Sequence, residues 1–314
     1  MKKLFFWVFA VLILSWEATQ YWPVTVRIDD SHSERGFTIR MPRKDKRRLE
    51  YFFQNVCFLN TWAYTLMGSK PMSIHQYRTP WAALRYFLFH PEISDILRDC
   101  FWPPNFHEIC YLLNPEQFKK KRGWETLNKY IHYFPDSRFA LYTYPANDNE
   151  LVCLTIVDKK KFIESVEKNR EDFQEILQEQ GLEIKDLWHD ESLYPLIKNL
   201  NHDGLIGTVL GFGRNNAWLF HKYQDVDWAS SPMVSPWAEE DKAQLERLNK
   251  KDTSFESWDI SDLFYPLFAC DPQSDETKEL KQIYLEDRRK IIQHYTGRDV
   301  VEATLSLFNQ KNAW

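Results

Sequence analysis

The chain has 314 residues, with 40 Lys and Arg against 45 Asp and Glu, a formal net charge of −5, and 13 Trp, 15 Tyr and 22 Phe against only 9 Gly. The acidic balance argues against a nucleic-acid partner, whose phosphates call for a basic surface. The scarcity of glycine argues against the phosphate-cradling loops of nucleotide enzymes.

Met1-Lys2-Lys3 precede an unbroken apolar run from Leu4 to Leu14, followed by Ser15 and Trp16. A positive start before an apolar run is the layout of a secretory signal, so residues 1–20 are expected to act as a signal peptide or a short membrane anchor. As a helix, Leu4 to Trp16 spans about 20 Å, short of the ~30 Å hydrocarbon core, which favours removal. The cleavage site is poor, because Trp16-Glu17-Ala18 and Ala18-Thr19-Gln20 place bulky groups where small ones are wanted. If it is kept, residues 4–16 would tether the protein to a membrane. In either case the body would lie outside the cytoplasm, whether periplasmic, secreted or anchored.

Residues 21–314 are expected to form a single compact body of the α+β class, mainly α-helical with two short antiparallel β-hairpins. Residues 228–258 read as a flexible connection that would divide 21–227 from 259–314. Val24–Ile28 and Phe37–Met41 alternate with period two and predict the first strand pair. From Asp45 to Met67, Leu49, Phe52, Phe53, Val56, Leu59 and Trp62 predict one amphipathic helix, stopped by Gly68 as a C-terminal glycine and by Pro71. Further helices are expected from Thr79 to Leu88 and from Glu92 to Phe101, with short ones across 105–133. Residues 138–144 and 150–157, joined by a Pro-Ala-Asn-Asp-Asn turn, predict the second hairpin. Asp158 then reads as the N-cap of a helix through Leu177 that ends at Gly181, although three lysines in its first turn oppose the helix dipole. Ser274 reads as the cap of a helix through Tyr295, and a last short helix is expected from Arg298 to Phe308.

Four of the nine glycines fall between Gly204 and Phe220. Gly211-Phe212-Gly213 resembles a dinucleotide loop in spacing but lacks the third glycine and the βαβ surroundings. Asn215 or Asn216 is expected to cap the helix through Tyr223, and that N-terminus with Gly211, Gly213 and Arg214 is a candidate anion or ligand site. The other reading of these residues is two tightly packed helices joined at a glycine turn, with Arg214 in an ion pair. Leu210-Gly-Phe-Gly-Arg-Asn-Asn-Ala-Trp-Leu-Phe220, together with Tyr64-Thr-Leu-Met-Gly-Ser-Lys-Pro-Met72, resembles signatures of an uncharacterised family of bacterial exported proteins. The resemblance covers about twenty residues and implies a bacterial envelope setting, with no activity or cofactor attached.

Ser69 and Lys70 are candidate catalytic residues, since a desolvated lysine can activate a serine. Cys100, His107 and Cys110 are candidate zinc ligands, although their spacing matches no standard pattern and Tyr111 replaces the second His of a zincin. Cys100 and Cys110 could instead be bridged, and an odd total of five cysteines leaves at least one thiol free. Complete templates for serine hydrolases, kinases, P-loop proteins and cysteine proteases are lacking, and no cofactor is implied. Two functions remain open. The first is a non-enzymatic envelope protein that binds a protein or small ligand. The second is an envelope hydrolase using carboxylates or the Ser-Lys pair.

Overall fold

The computed structural model describes residues 19–29, 36–78, 115–146, 151–223, 235–237, 260 and 263–310. β1 (Pro23–Ile28) and β2 (Phe37–Pro42) pair antiparallel with Val26 opposite Ile39. The predicted alternation is obeyed: Val26, Ile28, Ile39 and Met41 are buried while Arg27 is exposed.

The single helix expected from Asp45 to Met67 is instead three pieces. α1 (Arg43–Phe53) passes into a π-helical turn at Gln54–Phe58, the chain bends, and α2 (Trp62–Leu66) restarts. Two residues account for the break. Thr61 takes φ 65°, the left-handed region that costs an L-residue about 1–2 kcal/mol. The Asn60 side-chain amide donates to the backbone oxygen of Asn55 at 2.9 Å, sharing that carbonyl with the Leu59 N–H in the last turn before the bend.

β3 (Met72–Arg78) was not foreseen. It joins β4 (Phe139–Pro145) and β5 (Leu151–Asp158) in the order β3-β5-β4, all antiparallel. The central strand β5 is covered on both faces. One face carries Tyr77, Leu154, Ile156 and Phe139 into a core shared with β1, β2, α1, α2, and the helices α3 (Pro115–Tyr130), α9 (Asp275–Tyr295) and α10 (Val300–Phe308). The opposite face, with Met72, Ala140, Tyr142 and Val157, packs on α4 (Lys159–Lys168), α5 (Arg170–Glu179), α6 (Asp190–Asn199) and α7 (Asp203–Val209). α8 (Arg214–Tyr223) packs against α7 through Gly207 and Ala217. The chain is therefore mainly helical, with two small antiparallel sheets, the larger one sandwiched between helical layers.

Asp158 caps α4 as expected, accepting from the Lys161 backbone N–H at 3.3 Å. It is 1% exposed and also meets Lys161 Nζ at 2.7 Å and Arg138 Nη2 at 3.3 Å. Two of the three first-turn lysines are thereby accounted for, since Lys159 pairs with Asp190 at 2.7 Å. The helix through Leu177 breaks at Asn169, whose side chain donates to the Ser165 carbonyl at 2.7 Å, and α5 ends at Gly181 as expected. Ser274 caps α9 by accepting from the Thr277 N–H at 3.2 Å. α10 begins two residues into its expected range because Asp299 caps it.

The C-terminal helices are built into the N-terminal hairpin: the Asp29 N–H donates to Ser306 Oγ at 2.9 Å. Within the expected 228–258 connection, Trp237 is fully buried, stacks on Tyr265 and donates to the Pro266 carbonyl at 2.9 Å. The leader, the helices expected between Thr79 and Phe101, and the remainder of the connection lie outside the described residues. Residues 115–130 form one helix rather than several short ones. Among the described residues, no helix is long and apolar enough to cross a membrane.

His75 on β3 is 4% exposed, and its Nε2 has no hydrogen-bond partner among the described residues. Burial, and then the charge of Lys120, lowers its pKa from 6.5 to about 3. The unfolded chain takes up this proton near 6.5 and the folded chain only near 3, so stability is lost as pH falls through that window, by about 1.4 kcal/mol per pH unit. Urea denaturation at pH 6.5, 5.5 and 4.5 should show a shallower acid loss for His75→Leu than for the parent. Equal slopes would mean that His75 protonates freely in the fold.

Candidate functional site

The segments Tyr64–Met72 and Leu210–Phe220 meet in space, although Lys70 and Leu210 are 140 positions apart. Gly68 needs its missing side chain for a close approach, not for the helix-ending left-handed conformation expected of it. A Cβ there would lie 2.5 Å from Asp287 Oδ2 and 2.9 Å from the Tyr64 carbonyl. The next N–H, of Ser69, donates to Asp287 Oδ2 at 2.6 Å. Lys70 Nζ donates to the Leu210 carbonyl at 2.6 Å and lies 4.6 Å from the centre of the Phe212 ring. Gly211 follows at φ +78°, and its carbonyl accepts from the Tyr284 hydroxyl. A side chain at Gly211 would meet Tyr284 Oη at 2.7 Å and Pro71 Cδ at 3.1 Å.

This geometry separates the proposed Ser-Lys pair. Ser69 is exposed, Lys70 is 2% exposed, and no hydrogen bond joins their side chains. At the next turn, Arg214 makes a two-pronged ion pair with Asp172. The N-terminus of α8 is already capped from another helix: Glu276 accepts from the Asn215 N–H at 3.2 Å and the Asn216 N–H at 3.0 Å. Gly213 leaves the room that Glu276 fills. Neither asparagine is the cap. Asn216 instead reaches back to the Phe212 carbonyl at 3.1 Å and accepts from Thr277 Oγ1 at 3.1 Å. The anion expected at this terminus is thus a carboxylate of the chain itself.

Two hollows flank this corner. The smaller, about 230 Å³, is lined by Lys70 with Leu59, Asn60, Thr61, Phe212 and Leu267 among others, and among the described residues no lining residue besides Lys70 is charged. Burial alone lowers the Lys70 pKa from 10.5 to about 7, so near neutral pH the amine is in large part uncharged. The strained Thr61 stands in its wall, and left-handed backbone of this kind gathers at functional positions.

The larger hollow is an open cleft of about 790 Å³. α5 supplies Asp172, Glu175 and Glu179; the end of α6 and the link to α7 supply Lys198, Asn201 and His202; Trp218 comes from α8. The His202 ring lies 4.8 Å from Trp218 and 4.0 Å from His221. Hydrogen bonding from Arg214 holds the Asp172 carboxyl below its usual range. Burial first, then neighbouring His221, lowers the His202 pKa. Glu175 and Glu179 have no ion pair among the described residues.

Cys100, His107 and Cys110 lie outside the described residues. Among the described residues, no group of three His, Cys, Asp or Glu side chains could hold a metal, and Cys57, Cys153 and Cys270 are buried. Burial pushes the Cys57 thiol up to about 12, which makes it a poor nucleophile. Sequence reasoning missed both hollows. Asn60-Thr61, a polar pair inside an apolar helical pattern, was the available signal for the first. Glu175 and Glu179, at i,i+4 on the polar face of α5, look like any solvated stripe until the link after α6 is seen to line the same cleft.

The Lys70 amine also has a thermodynamic signature. The unfolded chain holds this proton up to about 10.5 and the folded chain only to about 7, so its contribution to stability grows as pH rises between those values and is lost as pH falls toward 7. Relative to Lys70→Met, the parent should gain about 1.4 kcal/mol per pH unit from pH 7.5 to 9.5 in urea denaturation. A constant difference would show that the buried amine stays charged.

Comparison with family models, with curated proteins and with solved structures finds no match for this chain.

Proposed function

We propose that the protein is an exported, envelope-associated binding protein that takes a polar, amine-bearing small ligand in the cleft between α5 and α8. The observation that carries this reading is the pair of uncommitted carboxylates, Glu175 and Glu179, in a cleft whose volume of about 790 Å³ falls in the range typical of ligand sites. Carboxylates at i,i+4 repel one another, and a bound ammonium group would relieve that repulsion. Asn201 and the Gln180 side chain offer hydrogen bonds to the remainder of such a ligand, and the buried Gln180 Oε1 has no hydrogen-bond partner among the described residues. The export half of the reading is supported by the Lys2-Lys3 start, the Leu4–Leu14 run and the resemblance of the two segments to bacterial exported proteins.

A carboxylate hydrolase has less support. Its two carboxyls must face each other across the bond to be cut, whereas Asp172, Glu175 and Glu179 share one helix and Asp172 is held by Arg214.

Calorimetric titration with spermidine, glucosamine, glucose and succinate tests the binding site. The two amines should bind and glucose and succinate should not, and Glu175→Gln with Glu179→Gln should weaken amine binding at least tenfold. Preference for succinate, or amine binding indifferent to both substitutions, would overturn the assignment. For export, sequencing the mature N-terminus from a secreting host should find a start near Tyr21 or an intact Met1 in the membrane fraction. Intact protein in the cytosol would contradict it.

A further inference from the structure

The smaller hollow has a chemistry of its own, independent of the cleft. We propose that Lys70 is a covalent binding site for small apolar aldehydes, held as a reversible imine inside the cavity lined by Leu59, Ile74, Phe212, Phe264 and Leu267.

The argument begins with what surrounds the amine. Lys70 is 2% exposed, and among the described residues the cavity of about 230 Å³ that it lines offers no carboxylate to pair with it. A lysine in an apolar site without a counter-charge has its lone pair free for attack, the arrangement by which amines are activated toward carbonyl carbon. The pKa of about 7 that burial gives Lys70 agrees with that geometry. A volume below the usual 300–1,000 Å³ of drug-sized sites restricts the occupant to a small molecule. Leu267, 57% exposed, is one of four large apolar side chains that stand out into solvent among the described residues, and it belongs to this cavity. It gives an apolar compound a favourable first contact.

The chemistry balances without a co-reactant. The Nζ lone pair adds to the aldehyde carbon, the carbonyl oxygen takes up a proton, and the resulting carbinolamine loses water. The C=N bond replaces C=O, and both amine hydrogens leave with the oxygen as water. On protonation the iminium regains one N–H, which can keep the bond to the Leu210 carbonyl that the free amine makes at 2.6 Å. The Phe212 ring, 4.6 Å from Nζ, stabilises the cation that forms. Asn60, Thr61 and Tyr265 also line the wall and give the departing water hydrogen-bonding partners.

The test is reductive trapping. The full chain is incubated with hexanal and cyanoborohydride at pH 6, 7 and 8, and the adducts are located by peptide mass mapping. Lys70 should be labelled at least tenfold faster than any exposed lysine at pH 7, with the rate rising most steeply between pH 6 and 8. Leu267→Trp keeps Lys70 in place but narrows the cavity, and should slow Lys70 labelling at least tenfold while leaving exposed lysines unchanged. Lys70→Arg should abolish the fast adduct. Labelling spread evenly over exposed lysines with Lys70 unmodified, or a Lys70 rate untouched by Leu267→Trp, would overturn the proposal.

Discussion

The fold depends on satisfying one short stretch of backbone, Tyr64 to Pro71, at the point where the two cores meet. A chain that leaves a helix inside a protein exposes carbonyls and N–H groups that water cannot reach, and each one left unpaired costs about 1–3 kcal/mol. Here the partners come from every side. The Thr65 and Leu66 carbonyls accept from Lys161 and Arg138, the Ser69 N–H donates to Asp287, and the Pro71 carbonyl accepts from the Asp158 N–H at 2.9 Å. The cations at the end of α2 also sit where the helix dipole favours positive charge. The glycine and the small turn in this stretch thus serve close approach, and the resemblance motif is an assembly joint before it is anything chemical.

That joint brings buried charge with it, and the charges are arranged in two ways. Asp158 is compensated by two cations and a backbone N–H, a network whose disruption would strand a buried charge at a cost of several kcal/mol. Lys70, the residue before Pro71, whose carbonyl accepts from the Asp158 N–H, has a carbonyl and an aromatic face instead. Neutralisation is then the less costly state, because isolated charge in an apolar setting is relieved by giving up the proton. One segment therefore carries a stable ion network and a titratable amine side by side.

Local patterns were legible where one face of an element is apolar and the other wet. Val24–Ile28, the Ser274 and Asp158 caps and the Gly181 stop could all be read from neighbours in sequence, because their physics is local. β3 was hidden because Ser73, His75 and Tyr77 face the core, and the Ser73 hydroxyl is answered by the Thr65 hydroxyl and the Thr61 carbonyl from elsewhere in the chain. The role of Glu276 at the start of α8 was hidden for the same reason: a cap supplied from 60 residues away has no sequence signature. Both hollows are likewise products of tertiary closure. Arg214 was legible only as a choice between an anion site and an ion pair, and Asp172 decided it.

The corner from Leu210 to Trp218 is a partition between the two hollows, with Leu210 and Phe212 on one side and Trp218 on the other. It is pinned at Gly211 by the Tyr284 hydroxyl and at Leu210 by Lys70. A partition shared by two sites obeys a reciprocity that does not depend on mechanism. If occupancy of the Lys70 cavity moves this wall enough to alter affinity in the cleft, occupancy of the cleft must alter affinity in the cavity by the same factor.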